Sequence, residues 1–325
     1  MAKQSFDEEY DPIREETEDS DRLVIGTRGS PLALAQAKEV AMNIIAASGG
    51  ISDPPDLLVI RTSGDTVQDR PLAEIGGKGL FTKEIDEALL KRHVDLAVHS
   101  MKDLPTELPD GIVIAAVLVR EDPRDVLIGA KSIASLPKGA KVGTSSLRRG
   151  AQVRHKRPDV LIVPLRGNVE TRIRKVREGE ASATLLALAG LKRLNVTTVD
   201  YAVLETDEML PAVAQGAIAI TCRAADTGMR GGLARLNHAP SARAVAAERA
   251  LLAKLEGSCR TPIAALAEFD AQGARLTLRA SLLAPDGSKR FDATRIGSEA
   301  DAEAMGRDAA TELLKNAGPG FLTTT

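Results

Sequence analysis

From Leu23 onward, short apolar runs alternate with stretches in which apolar residues recur at helical spacing. The order LVIGT, PLALAQAKEVAMNIIAASGG, DLLVIRTS, FTKEIDEALLKRH, VDLAVHS reads strand, helix, strand, helix, strand, which predicts an α/β lobe around a mainly parallel sheet. A second series begins near Arg120 with DVLIGA, KVGTSS, a helix from Leu147, VLIVPLRGN, a helix from Val169 and ATLLALAG. The architecture repeats and the sequence does not, so two similar lobes are expected. GAIAITC at 216–222 is a further strand, and periodicity leaves open which lobe receives it. Past His238 the texture changes to an Ala-rich helix (SARAVAAERALLAKLEG), the strand TPIAALAEF, a hairpin (LTLRASLLAPDGSKRF) turned at Pro-Asp-Gly, and a last helix from about Ala300. That is a small α+β third unit.

Composition agrees with several cores in place of one. A chain of 325 residues exceeds what one hydrophobic core organises. Aromatics are 2% with no Trp, so packing rests on Leu, Ile, Val and Ala. No run reaches the roughly 18 apolar residues of a membrane span, and the N-terminus lacks a basic-then-apolar signal layout. The expected compartment is the cytoplasm. The two cysteines, Cys222 in an apolar strand and Cys259 in a loop, make no disulfide framework, which suits reducing surroundings. The net charge of -2 conceals a split: residues 1–21 carry nine Asp/Glu against two Lys/Arg, leaving 41 basic and 36 acidic residues, net +5. The acidic head reads as a disordered tail, and the mildly cationic remainder suits an anionic partner.

In open α/β sheets ligands bind beyond the carboxyl ends of strands. After the first strand, Ser30 is placed as an N-cap and Pro31 at the first helical position; Arg28 beside them is either a solvated cation or an anion ligand. VDLAVHS runs into Lys102, Asp103 and Leu104-Pro105. Proline disfavours helix at Leu104 and leaves Lys102 and Asp103 in a tight loop at a sheet edge. Asp103 is there either a turn residue or a fixed anion facing a cleft, poised to stabilise positive charge.

Ten basic residues lie between 148 and 177 against Asp159 and Glu170. Nucleic acid is the obvious suspect. Yet the stretch has no aromatic for base stacking, and its arginines are divided among helix starts and a strand end. Discrete anions fit better. Arg148 and Arg149 follow the cap Ser145-Ser146, where free amides favour negative groups. Arg166 ends a strand, and Arg172 flanks the apolar stripe of Val169, Ile173 and Val176. These four are expected to line a site, and Arg154, Arg157, Arg174, Lys175 and Arg177 to form a solvated face. Arginine's planar fork suits carboxylates. Cys259 follows a helix-ending Gly257; Arg260 favours its thiolate and the helix C-terminus opposes it, so by spacing alone it is structural or reactive. Cys222 reads as a buried small hydrophobe. His93, His99, His155 and His238 lack ligand-like spacing, so no metal is expected. Gly76-Gly77-Lys78-Gly79 lacks the layout of a nucleotide phosphate loop and reads as a mobile lid.

Ten segments in order, GTRGSPLAL, GGKGLF, VDLAVHSMKDLP, REDPRD, VGTSSLRR, LRGNVETR, LALAGLKRL, LPAVAQGAIAI, LNHAPSARAVAAERALL and LEGSCRTPIA, resemble the porphobilinogen deaminases (hydroxymethylbilane synthases). The resemblance covers Leu23 to the C-terminus. It implies two lobes similar to type II periplasmic binding proteins plus a small α+β C-terminal domain: a tail at 1–20, domain 1 at 21–118 with 216–235, domain 2 at 121–212 and domain 3 at 238–325. It further implies a transferase that deaminates four porphobilinogen molecules and links them head to tail into hydroxymethylbilane, for tetrapyrrole and haem biosynthesis.

A dipyrromethane cofactor in thioether linkage to Cys259 is implied, with no metal or nucleotide, and Asp103 as catalytic group. Lys102, Asp103, Thr144, Ser145, Ser146, Arg148 and Arg149 would contact the cofactor. Arg28, Ser30, Lys78, Arg166, Gly167, Asn168, Arg172, Arg193 and Gln215 would contact substrate. The expected protein is a cytoplasmic monomer acting on a small molecule, with no nucleic acid or membrane as partner. Departures are Glu74 where some members have lysine, Ser258 where many have glycine, and Ser182 at an acidic position. A reversible two-lobed anion-binding protein and a nucleic-acid binder are the rival classes.

Overall fold

The computed structural model describes residues 22–50, 53–66, 79–255 and 262–322. The tail, Glu74, Lys78, Ser258 and Cys259 lie outside them. Among the described residues, three sheets organise the fold. The first holds β1 (Val24–Arg28), β2 (Asp56–Ile60), β3 (Leu96–Ser100), β4 (Ile112–Val117) and a strand from far along the chain, β10 (Ile218–Arg223), in the order β2-β1-β3-β10-β4. The second holds β5 (Asp125–Ile128), β6 (Lys141–Gly143), β7 (Leu161–Val163), β8 (Ala183–Ala187) and β9 (Tyr201–Leu204), in the order β7-β6-β8-β5-β9. Antiparallel strands β11 (Ile263–Phe269), β12 (Leu276–Leu283) and β13 (Arg290–Gly297) make the third.

In each large sheet four of the five strands run in one direction, as the sequence pattern predicts, and one strand, β10 in the first and β5 in the second, is reversed. In the first, β1 runs parallel to β2 and β3, and β10 is antiparallel to β3 and β4. In the second, β6 is parallel to β7 and β8, and β5 is antiparallel to β8 and β9. The cause is connectivity: β5 is the first strand after the chain crosses to the second lobe, and β10 the first after it returns. Each enters its sheet against the direction that crossover helices impose on the others. β4 and β9, both absent from the sequence reading, complete the sheets.

Helices cover these sheets with their apolar stripes. α1 (Pro31–Ala47) buries Ala37 and Val40 against Ile25, Leu96 and Ile220, with Leu233 of α7 (Thr227–Leu233) in the same core. Between them in sequence come the short α2 (Ser63–Thr66) and α3 (Lys83–Leu90), whose Ala88 and Leu89 pack on Val94 and Ile112. α4 (Leu147–Lys156) packs Val153 on Val142 and Leu185. α5 (Val169–Arg177) and α6 (Leu188–Arg193) cover the other face through Ile173, Leu188 and Leu191. Cys222 is fully buried in the first core.

α8 (Ala239–Lys254) and α9 (Ala302–Ala317) lie together on the third sheet, and their core continues into Met101, Leu104, Val117 and Val213 of the lobes. Glu248 of α8, fully buried, carries much of that continuity. It pairs with Arg120 at 2.6 Å and accepts from the amides of Ala214 (2.6 Å) and Ala267 (2.8 Å). Arg120 also donates to the Gln215 carbonyl at 2.8 Å. Both connections between the lobes therefore meet one carboxylate. Ala214 holds φ at 60°, a left-handed conformation that costs an alanine about 1–2 kcal/mol, and the Glu248 bond fixes it. Gly216, two residues on, has φ 91°, and a Cβ there would collide with the Glu121 carbonyl, so the two connections pass at backbone contact.

Candidate active site

Strand β3 ends at Ser100 and the chain turns through a single 3₁₀ turn, Met101–Asp103, held by the Met101 amide on the Ala217 carbonyl. Met101 and Leu104 go into the core, which leaves Lys102 and Asp103 half-buried at the carboxyl end of the sheet. Behind them Arg249 of α8 donates to the carbonyls of Pro105 (2.7 Å) and Thr106 (3.1 Å). The 3₁₀ turn is thus fixed from both the first sheet and the third unit.

Arg28, at the end of β1, has 21% of its side chain exposed and is no solvated cation. It forks onto Asp65 of α2, lies 3.9 Å from Asp103, and its guanidinium sits 4.2 Å from the Phe81 ring centroid. Burial opposes the charge, but Asp65 and Asp103 raise the Arg28 pKa overall. Ser30 caps α1 by accepting from the Ala33 amide. His99, deep in β3, contacts Thr221 and is pushed down to about 4 by burial and by Arg28, so it is neutral near pH 7.

The second lobe brings the other cations. Ser146 caps α4, Thr144 accepts from the Ser146 amide at 3.1 Å, and the Ser145 hydroxyl donates to the Leu165 carbonyl at 3.1 Å. Arg148 and Arg149 are each 5% exposed and turn inward onto Asp125, which is fully buried. Arg148 donates to Asp125 at 2.6 Å and to the Leu210 carbonyl; Arg149 donates to Asp125 at 2.6 Å and to the Leu185 carbonyl. Burial alone would raise the Asp125 carboxyl, but the two guanidinia hold it well below the usual range. Arg148 keeps one buried donor, Nε, without a partner.

Gln215 joins the lobes: it donates to the Pro123 carbonyl (2.7 Å) and to Asp125 (3.0 Å), and accepts from Lys102 at 3.5 Å. Burial pushes the Lys102 ammonium down to about 8, with Arg149 and Arg148 acting the same way and Asp103 and Asp125 opposing.

Gly167 has φ 119°, and a Cβ there would meet Thr171 at 2.5 Å. Its carbonyl accepts from Arg172 at 2.8 Å, and Asn168 caps α5. Arg172 is pulled down to about 10 by burial and by Arg149 and Arg166, with Asp103 opposing. It stays charged at neutral pH. Asp103 from one lobe and Arg149, Arg166 and Arg172 from the other therefore share one field. Arg193 is 8% exposed, and two of its donors are spoken for, by Glu39 of α1 (3.0 Å) and the Gly216 carbonyl (3.1 Å); in this conformation it fastens lobe to lobe.

Three members of the expected solvated face are half-buried, one of them Lys175, which pairs with Glu180 at 3.4 Å. Arg157 is half-buried on Asp159 and the carbonyls of Ile133 and Ala134, and Arg154 donates to Pro285 of the third unit at 2.9 Å. Both lie at the end of α4, where a solvent-facing stripe meets neighbouring loops. Arg174 does sit exposed, paired with Glu178 one turn on. Sequence reasoning missed Asp125, Asp65 and Phe81. The signal for Asp125 was a carboxylate opening a strand, DVLI, that is otherwise wholly apolar. Among the described residues no group of three or more His, Cys, Asp or Glu is arranged to hold a metal ion.

Two family models match: "Porphobilinogen deaminase, dipyromethane cofactor binding domain" over residues 23–231, and "Porphobilinogen deaminase, C-terminal domain" over 242–315. The chain is 52% identical over 303 residues to the chloroplastic porphobilinogen deaminase of Oryza sativa subsp. japonica, covering 91% of this chain and 84% of that one. It is 54% identical over 299 residues to the porphobilinogen deaminase of Paracoccus denitrificans, covering 91% and 95%. A probable amino-acid ABC transporter extracellular-binding protein of Bacillus subtilis superposes with a TM-score of 0.41 at 10% identity, over 67% of this chain and 90% of that one.

Proposed function

The chain belongs to the porphobilinogen deaminase family, and from that premise we propose that the Asp103 cluster is where four porphobilinogen molecules are joined head to tail into hydroxymethylbilane. One observation carries the reading. A half-buried carboxylate, Asp103, stands among cations from both lobes, 3.9 Å from Arg28 and in the field of Lys102 and Arg172. Porphobilinogen bears an acetate and a propionate on its pyrrole, so a growing chain demands many cations, and each ring offers an N–H to a carboxylate.

The same residues suit the family's dipyrromethane, which carries acetates, propionates and ring N–H groups and needs no metal. Cys259 is the proposed thioether anchor. Lys102, Arg166, Arg172 and the free amides at the caps Ser146 and Asn168 would hold its carboxylates, with Arg148 and Arg149 adding positive charge from beneath. Bound there, the group supplies the primer ring to which pyrrole units are added.

Loss of ammonia from the aminomethyl arm of porphobilinogen leaves a methylene-pyrrolenine cation, its charge shared with the ring nitrogen. Asp103 stabilises that cation electrostatically and accepts the ring N–H; as a base it can take up the proton shed on coupling. Asp65 and Phe81 fix Arg28 so that its Nη1 lies 3.9 Å from Asp103. The enzyme is read as a cytoplasmic monomer of haem and tetrapyrrole biosynthesis. No described helix is long and apolar enough to cross a membrane, and the buried arginines are engaged within the fold, which disfavours a polynucleotide partner.

Intact-protein mass tests the reading. Denatured protein from porphobilinogen-producing cells is expected to exceed its sequence mass by two porphobilinogen units less two ammonias, and brief exposure to porphobilinogen to add a ladder of equal increments. Cys259→Ser should lose both and Cys222→Ser keep both. A bare mass that gains nothing on incubation would overturn the reading.

Lys102 adds a pH prediction. Its pKa near 8, against 10.5 for the free group, places the alkaline fall of kcat/KM near pH 8, where its charge is lost. Stability runs the other way. Between about pH 8 and 10.5 the unfolded chain binds this proton and the folded one does not, so the lysine's contribution to stability rises with pH in that window. Lys102→Arg keeps the charge and should move the activity limb up; a limb that stays near pH 8 assigns it to another group.

A further inference from the structure

We propose that the Pro285–Gly287 turn of the third sheet is a positioning element for the active site, acting along helix α4. The inference rests on the function proposed above, and its test is separable from that of the function.

α4 has ten residues, a rod of about 15 Å. Its first turn carries the Ser146 cap and the arginines on Asp125. Its last turn meets the β12–β13 hairpin. There Arg154 donates through Nη1 to the Pro285 carbonyl at 2.9 Å, and His155 Nδ1 lies 2.9 Å from the Gly287 carbonyl, which requires that nitrogen to carry the proton. Two successive helix residues thus grip two carbonyls of one turn.

Gly287 sets how close the turn comes. Its φ is 77°, and a Cβ there would stand 2.5 Å from the His155 backbone nitrogen and 2.7 Å from Arg154 Cβ. Both atoms belong to the helix itself, so a side chain could not be accommodated by a rotamer change; the turn or the helix would have to shift. Beside the contact lies a cavity of about 530 Å³ lined by Arg154, Pro158, Val160, Pro285 and Asp286. Apolar packing does not fill that side of the seam. The seat of the turn is therefore set by two hydrogen bonds and one glycine contact. Asp286 accepts within the turn from the Ser288 amide and hydroxyl, and its charge attracts Arg154, which adds to the hold of the helix on the turn.

Close-packed helices move as bodies. A turn lifted off one end of α4 shifts the other end, which carries the Ser146 cap and the arginines held on Asp125. The hairpin also belongs to the sheet that Cys259 precedes in sequence. The seam between turn and helix thus sets how the third sheet sits against the helix that carries the second lobe's buried arginines.

The test uses the loaded enzyme, with loading checked by intact mass. Gly287→Ala is expected to keep the covalent adduct and to lose about tenfold or more in kcat/KM, as small misplacements remote from the chemistry do. Its effect should be non-additive with that of Arg149→Lys, since both act on the same end of the helix, whereas independent sites this far apart multiply. A merely structural role would lower Tm without producing that coupling. If Gly287→Ala does not accumulate as folded protein, Arg154→Met, which deletes one hydrogen bond, takes its place in the same cycle. Activity within twofold of the parent, or effects that multiply independently, would overturn the proposal. Absence of the adduct from the parent enzyme would instead overturn the function itself.

Discussion

Asp103→Asn is expected to cut turnover by at least about a thousandfold, the loss typical when a central electrostatic stabiliser is removed from a preorganised site. The change preserves shape and removes charge. Folding should barely notice: the Asp103 side chain is 32% exposed and its ion pair with Arg28 spans 3.9 Å, a contact worth at most about 1 kcal/mol. Steady-state assays beside thermal melts check both halves. Turnover within tenfold of the parent would remove Asp103 from its role, and a large drop in Tm would attribute the loss to unfolding.

Asp125→Ala should show the opposite balance. This carboxylate is fully buried and holds Arg148, Arg149 and the Gln215 amide. Its removal strands two guanidinia in the interior, at a cost of about 3–5 kcal/mol and a fall in Tm of roughly 5–15 °C. Activity would be lost along with the fold. The sign with pH follows from its depressed pKa. Asp125 stabilises the protein above the ordinary carboxylate pKa, and that contribution fades as pH falls toward the folded value. Acid should therefore unfold the parent in a step that Asp125→Asn largely lacks. An unchanged melt for Asp125→Ala would show that the arginines find other partners.

The two predictions also mark what could be read from residue order. Asp103 was legible because its neighbours constrain it: an apolar strand before and Leu104-Pro105 after leave little but a turn at a sheet edge. The caps Ser30 and Ser146 follow from local chemistry and need no tertiary information. Asp125 was hidden for the reverse reason. Its partners lie 23 and 24 residues away, so local patterns cannot tell a buried triad from an isolated acid. Arg148 and Arg149 were legible as cations at a helix start, but their inward turn depends on that unseen carboxylate. Strands β4 and β9 escaped because IVIAAV and YAVL have no adjoining helix to set the rhythm. The mixed sheet directions escaped because β10 pairs with residues more than a hundred positions earlier. Arg154 illustrates the remaining limit: a polar stripe on a helix looks the same in sequence whether water or another domain faces it.

Glu248 has a consequence for how the cleft works. Two-lobed proteins ordinarily trap a ligand by bending at their paired connections, and the energy of closing selects what is held. Here both connections are tied to one buried carboxylate from the third domain, with the Ala214 amide and Arg120 as its ties. The width of the cleft is thereby referenced to a body outside the two lobes. Any bend at these connections would have to stretch or break the bonds to Glu248.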